Sequence, residues 1–280
     1  MWKQKIGMSV GPFPEIPSAE TVRLIAAAGF DAVSPIWRED EDLGEVLAAA
    51  EECGLAVQSL HAPYLQAAAM WSADPEVFAP AVEEMMTVAA SCVKYRIPVL
   101  VVHPWIGFEY DFDEANLCFD HYDALVRYAE ENGFAVAFEN TEGEEFLFAL
   151  LERYKENPAV GFCWDSGHEL CYNHSQNLLA KYGNRLLMTH LNDNLGISRF
   201  DGVTYWTDDL HLLPFDGIAD WEDNVCRLKN AAPQEYLNFE LTTHSKPDRH
   251  ENDVYAALPP EVYLAEAYNR ACRIAWQYAK

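Results

Sequence analysis

The chain alternates between short apolar runs and longer stretches in which apolar positions recur at helical spacing. Residues 5–11 predict a first strand, and Ser18 is placed to cap a helix that runs to Gly29. A second strand is expected over 31–37 and a helix over 42–53, stopped by Gly54. The third strand, 55–61, ends in His61; a helix over 79–95 follows, then a strand over 98–103 that ends in His103. A helix from Asp113 to Asn132, closed by Gly133, leads into a strand ending at Glu139. Residues 145–156 predict the next helix, Pro158 opens a turn, and the run from Val160 ends at Asp165. Helices over 175–182 and 218–230 precede strands ending at His190 and Glu240, and a last helix covers 260–278.

Eight strand candidates, each followed by a helix, predict an α/β fold closed as a (β/α)8 barrel. An open doubly wound sheet is the competing architecture, but it would gather its ligand at one crevice and would not draw on residues from six strands. No linker rich in Gly, Ser or Pro divides the chain, so residues 1–280 read as one domain.

Four of the runs end alike. AVAFEN ends at Glu139, VGFCWD at Asp165, LLMTH at His190 and YLNFE at Glu240. Any one of these residues alone is an ordinary polar strand end facing solvent. Four at corresponding positions share a cause, because carboxylate oxygens with one imidazole form a donor set for Zn, Mn, Co or Mg. A divalent-metal site is therefore expected at the barrel mouth.

The charge narrows the partner. Against 45 acidic residues stand 19 basic ones, a formal net charge of −26, which repels nucleic-acid phosphates and anionic membranes. A small carbohydrate fits better than nucleic acid or membrane, and a homo-oligomer is left open. Seven cysteines include no CxxC pair, as in a reduced cytoplasmic protein, and they are expected to be mostly buried. The opening MWKQKIGMSVG lacks the three-part pattern of a signal peptide, and no apolar run approaches the length of a membrane span.

The longest expected loops, 62–78 and 192–217, follow the third and seventh strands, where barrel enzymes build lids and specificity walls. Trp71, Trp105, Tyr205 and Trp206 either stack on a sugar face or pack the rim. Asp209 and His211, alternate residues, can point to the same side of an extended segment. The two loops contain Arg199 as their one basic group, which favours a neutral sugar over a sugar phosphate.

The residues FEN at 138–140, WDSGH at 164–168, THLNDN at 189–194, DDLHLLPFDG at 208–217, DW at 220–221 and NFEL at 238–241 together resemble the xylose isomerase-like barrel superfamily, across nearly the whole chain. That group holds sugar-phosphate isomerases and epimerases, ketose 3-epimerases, inosose-processing enzymes and apurinic-site endonucleases. The resemblance implies metal ligation by Glu139, Asp165, His190 and Glu240. It also implies proton transfer by Glu139 and Glu240 beside a metal-chelated carbonyl, with His168 as a catalytic residue in contact with the substrate. His61, His103, Trp105, Glu145, His168 and Trp206 are the expected substrate contacts, of which Glu145 and His168 match epimerase positions. One position departs from the epimerases: where they carry a substrate-gripping Arg after the metal-binding His, this sequence has Gly196, and the nearest Arg is Arg199.

The endonuclease branch implies a larger ligand set, adding His61, His103, His168, Asp209 and His211 to the central four and holding more than one ion. The expected activity is a metal-dependent sugar or sugar-phosphate isomerase or epimerase. The alternatives are a dehydratase or lyase on a cyclic polyol, an endonuclease-like hydrolase with several zinc ions, and a non-catalytic sugar-binding barrel.

Overall fold

In the computed structural model, which describes residues 4–200 and 205–280, β1 (Lys5–Val10) leads to α1 (Ser18–Ala28) and β2 (Ala32–Pro35) to α2 (Leu43–Glu52). The short β3 (Ala56–Val57) and β4 (Leu60–His61) precede α3 (Pro75–Tyr95), and β5 (Val99–Val102) precedes α4 (Asp120–Asn132). Next come β6 (Ala135–Glu139), α5 (Glu144–Arg153), β7 (Val160–Asp165), α6 (Ser166–Cys171) and α7 (Leu178–Tyr182). β8 (Leu186–His190) and α8 (Trp221–Lys229) follow, and β9 (Tyr236–Phe239), α9 (Asp253–Ala256) and α10 (Pro260–Tyr278) end the chain. Residues 1–3 of the expected 1–280 unit, and 201–204 of the expected 192–217 loop, lie outside the described residues.

The strands pair in parallel in the orders β3-β2-β1-β9 and β4-β5-β6-β7-β8. Single parallel bridges, Ile36 to His61 and Leu191 to Phe239, join the two sheets at both edges. β3 and β4 are the two halves of the expected third strand, broken at Gln58 and Ser59. The ring therefore counts eight strands and closes as a (β/α)8 barrel.

Local chemistry sets most boundaries. Gly29 and Gly133 take left-handed conformations (φ 109° and 76°) immediately after α1 and α4, and the Asp42 and Asp74 carboxylates accept from the first-turn amides of α2 and α3. Ser18 is not a cap. It is the first residue of α1, and its hydroxyl donates to the Glu41 carboxylate at 2.6 Å. α3 starts four residues before the expected 79, because Asp74 caps it and Pro75 is preorganised for a first helical turn. Asp113 caps only a 3-10 turn, Glu114–Asn116, and α4 begins at Asp120.

Side-chain alternation divides each strand between two environments. Leu100, Val102, Val136, Phe138, Phe162 and Trp164 join the core beneath the helices. The intervening residues Val101, Ala137, Cys163 and Met188 form a separate apolar cluster. Continuing the same alternation by two residues gives His103, Glu139, Asp165 and His190. The apolar layer therefore lies one step below a layer of carboxylates and imidazoles. On β1, β2 and β9 the equivalent interior is polar: Asn238 donates to the Ser9 hydroxyl at 3.0 Å and accepts from Ser34.

The cysteines are all free, as expected, but only Cys92, Cys163 and Cys171 are buried; Cys53 and Cys226 are exposed. Among the described residues, no helix is long and apolar enough to cross a membrane.

Candidate metal centre

The strand ends converge. Ligand atoms of Glu139, Asp165, His190 and Glu240 all lie within 4.8 Å of one another, and two further groups, His61–His103–Glu139 and His168–Asp209–His211, meet the same spacing. His190 Nδ1 is 3.0 Å from Glu139 Oε1 and 2.6 Å from Glu240 Oε2. The Glu139 carboxylate is fully buried and has His61 Nε2 at 3.3 Å, His103 Nε2 at 3.4 Å and His168 Nδ1 at 3.4 Å. Asp209 Oδ1 joins His168 Nε2 at 3.3 Å to His211 Nε2 at 2.8 Å, which places the loop after β8 over the cluster.

Neighbouring groups fix the orientation of these side chains. His61 Nδ1 meets the Ala62 carbonyl at 2.7 Å, His168 Nδ1 the Asn140 carbonyl at 2.9 Å, and His211 Nδ1 the Glu240 carbonyl at 3.3 Å. Each contact takes one ring nitrogen and leaves Nε2 facing a carboxylate, the tautomer that a metal-binding histidine needs. Asp165 is held from both sides: its Oδ1 accepts from the His168 amide at 2.7 Å and its Oδ2 from Asn192 Nδ2 at 2.8 Å. Asn140 pairs with the Asp165 backbone through both halves of its amide. Gly167 is required here, since a Cβ on it would lie 1.9 Å from Asn192 Oδ1.

The electrostatics of the cluster call for a cation. Burial raises the Asp165 carboxyl to about 6, assisted by the neighbouring Glu139 and Glu240 charges and opposed by His168 and His211. Burial also opposes ionisation of Glu139, but His190 and His103 outweigh it and hold the carboxyl well below its ordinary value. Glu240 is held at about 2 against burial, chiefly by His190. Burial works against the His168 and His190 imidazoliums, yet the surrounding anions push both pKa values well up. Glu139 Oε1, His190 Nδ1 and Asp209 Oδ1 are buried without a well-formed hydrogen bond. Buried polar atoms without partners are rare in native proteins. Orphaned donor atoms of the right kind, within 4.8 Å of one another in the central group, fit a divalent ion.

A cavity of about 450 Å³ opens onto the cluster. Of the expected substrate contacts, His61, His103, His168 and Trp206 line it. Trp105 and Glu145 do not. The Trp105 indole stacks face to face on Phe146 at 4.1 Å and donates to the Gly107 carbonyl, while Glu145 accepts from the Tyr110 hydroxyl at 2.8 Å in a neighbouring cleft. Trp71 is in the core, tilted against Tyr122 and donating to the Pro104 carbonyl. Arg199 lies over the Tyr205 ring and does not line this cavity; among the described residues the Lys or Arg at the cavity wall is Lys246, 3.4 Å from Asp209 Oδ2.

Several residues here had no signal strong enough to single them out. Lys246 arrives from the loop after β9, and Glu142, Tyr64, Ile106 and Phe108 from other loops. Asn140 directly follows Glu139, and Asn192 is two residues past His190. An amide immediately beyond a ligand was the available clue for both.

Solved structures of low sequence identity share the fold. The IOLI protein with a bound zinc atom superposes with a TM-score of 0.75 at 16% identity, covering 98% of this chain and 99% of that one. A D-psicose 3-epimerase with D-tagatose from Clostridium cellulolyticum H10 superposes with a TM-score of 0.73 at 13% identity, over 98% and 99% of the two chains. Among curated sequences, the uncharacterized protein y4fM of Sinorhizobium fredii is 32% identical over 99 residues, 31% of this chain, and the match spans 32% of that relative's length. The family model described as the xylose isomerase-like TIM barrel matches residues 22–263, most of the closed ring, and the chain belongs to that family.

Proposed function

We propose that the protein is a divalent-metal-dependent isomerase or epimerase of a hydroxy-carbonyl carbohydrate. The observation that carries this reading is the meeting of two glutamates, Glu139 at 3.0 Å and Glu240 at 2.6 Å, at His190 Nδ1, in one group with Asp165. Glu139, Asp165, His190 and Glu240 would hold the ion, which supplies Lewis acidity that polarises a chelated carbonyl and acidifies the adjoining C–H.

The proton work falls to the chain's own residues. Glu139 and Glu240 are held ionised, the state in which a carboxylate accepts a proton, and both line the cavity. Asn192 and Asn140 fix Asp165, and the Asn140 carbonyl fixes His168, which faces the cavity beside Glu139. The solved structures that share the fold include a D-psicose 3-epimerase, and the same class of chemistry suits this cluster. With a net charge of −26, a small carbohydrate remains a better partner than nucleic acid.

Solvent-deuterium exchange into a panel of ketoses tests the reading, with metal-loaded and chelator-treated protein side by side. Metal-dependent exchange beside a carbonyl is expected; its absence across the panel sinks the assignment. A second reading, hydrolysis at a multinuclear site, is favoured by two of the further histidine-containing groups, His61–His103–Glu139 and His168–Asp209–His211. Metal analysis finding three ions per chain, together with phosphodiester cleavage, would put it first.

A further inference from the structure

Beyond the ligand cluster, the same cavity changes character. Four loops each bring apolar side chains to its wall: Ile36 follows β2, Leu65 follows β4, Ile106 and Phe108 follow β5, and Trp206 lies in the long loop after β8. Leu65 is 79% exposed and Trp206 51% exposed. Single exposed apolar residues are ordinary, but a convergence of five apolar side chains from four loops on one cavity marks a binding surface.

Away from the carboxylates and imidazoles of the cluster, the polar groups on the cavity wall are the Glu142 carboxylate, the Lys246 ammonium and the Tyr64 and Tyr172 hydroxyls. Among the described residues, no Ser, Thr, Asn, Gln or Arg side chain lines the cavity. The Glu142 carboxylate already accepts from the Gly107 amide, and the Lys246 ammonium is paired with Asp209. A free sugar carries hydroxyls around its whole ring. Against the five apolar side chains those hydroxyls would lose water without gaining partners.

On the isomerase or epimerase reading above, we infer that the substrate is a keto-sugar carrying a neutral, ring-containing apolar substituent. The sugar reaches the ligand cluster, and the substituent lies against Ile36, Leu65, Ile106, Phe108 and Trp206. The cavity of about 450 Å³ lies within the range that encloses drug-sized ligands. The Phe108 and Trp206 rings offer faces and edges for an aromatic ring to stack on. Neutrality follows from Lys246, the one Lys or Arg on the cavity wall among the described residues, already having an anionic partner.

The test is equilibrium binding by titration calorimetry on the metal-loaded full chain, with two probes that keep the same ketone: a free hexos-3-ulose and its phenyl glycoside formed at C1. The phenyl glycoside is expected to bind at least about tenfold more tightly, with a more negative heat-capacity change. Leu65→Ser and Ile106→Ser each reduce that ratio, while Val254→Ser, at an exposed valine outside the cavity, leaves it as in the parent. Equal or tighter binding of the free sugar, no binding of either probe, or a ratio that Leu65→Ser and Ile106→Ser leave unchanged overturns the inference. Deuterium exchange measured in parallel separates the two readings. Exchange into the free sugar without a phenyl preference in binding overturns the substrate class and keeps the isomerase. A phenyl preference sensitive to Leu65→Ser without exchange keeps the substrate class and overturns the isomerase.

Discussion

Asn192 donates to Asp165 at 2.8 Å across a turn that Gly167 keeps clear. Gly167→Ala would thrust a methyl group to within 1.9 Å of Asn192 Oδ1 and displace the amide. Losing a partner of this kind behind a metal ligand typically weakens metal binding about 10- to 100-fold. The expected outcome is that loss with the far-ultraviolet dichroism unchanged, measured by competition with a metal-sensitive dye. Parent-like affinity in a folded Gly167→Ala protein would show that Asn192 has no part in positioning Asp165.

Glu139→Gln and Glu240→Gln keep side-chain size and remove a general base, so each should lower deuterium exchange by about 10²- to 10⁴-fold. Both residues are candidate ligands, so metal content must be measured on the same preparations before rates are compared. Near-normal exchange with metal retained in both variants would remove the proton-transfer chemistry from the proposal.

The metal-free protein should have a distinctive pH response. Burial opposes the His211 imidazolium, but Asp209 and Glu240 raise its pKa to about 9, above the unfolded value of about 6.5. A group raised on folding contributes stability that is fully present below the unfolded pKa and lost as pH rises through the folded one. The melting temperature of chelated protein should therefore fall between about pH 6.5 and 9 by this contribution, in which His168 and His190 act in the same direction. Metal binding in that interval should release protons, so its calorimetric heat should depend on the buffer's ionisation enthalpy. A buffer-independent heat would show that the histidines do not titrate on binding.

Asp193 organises the loop that carries Asp209 and His211. Buried completely, its two oxygens accept from the Asn194, Phe215 and Ala219 amides and from the Trp221 indole, at 2.8 to 3.0 Å. Asp193→Ala should leave several buried donors unpaired and cost on the order of 3 kcal/mol. Urea unfolding gives the number, and a cost near zero would mean that the loop finds other acceptors.

What was legible in the sequence follows the range of the interaction. The meeting of Glu139, Asp165, His190 and Glu240 could be anticipated because an apolar run ending in a carboxylate or imidazole is a local pattern, and alternation then fixes which face it occupies. Gly29 and Gly133 could be read because a left-handed helix end leaves a local demand for glycine. The break at Gln58 and Ser59 could not, since it depends on β2 and β5 holding different halves of one strand. Nor could Lys246, which reaches Asp209 across 37 positions of chain. Trp71 and Trp105 look the same in sequence as a sugar-stacking Trp; the packing of Tyr122 and Phe146 decides otherwise.

The apolar layer formed by Val101, Ala137, Cys163 and Met188 has a kinetic consequence. Burial raises the Cys163 thiol to about 12, so this stratum remains uncharged at any physiological acidity. The chamber above it is a vessel stoppered at the bottom. Reactant and product therefore come and go on the side away from this layer, where the exposed Leu65 and Trp206 stand on the cavity wall. Turnover at such a site is queued at the rim, and a sticky lip there would slow release even where the chemistry below is fast.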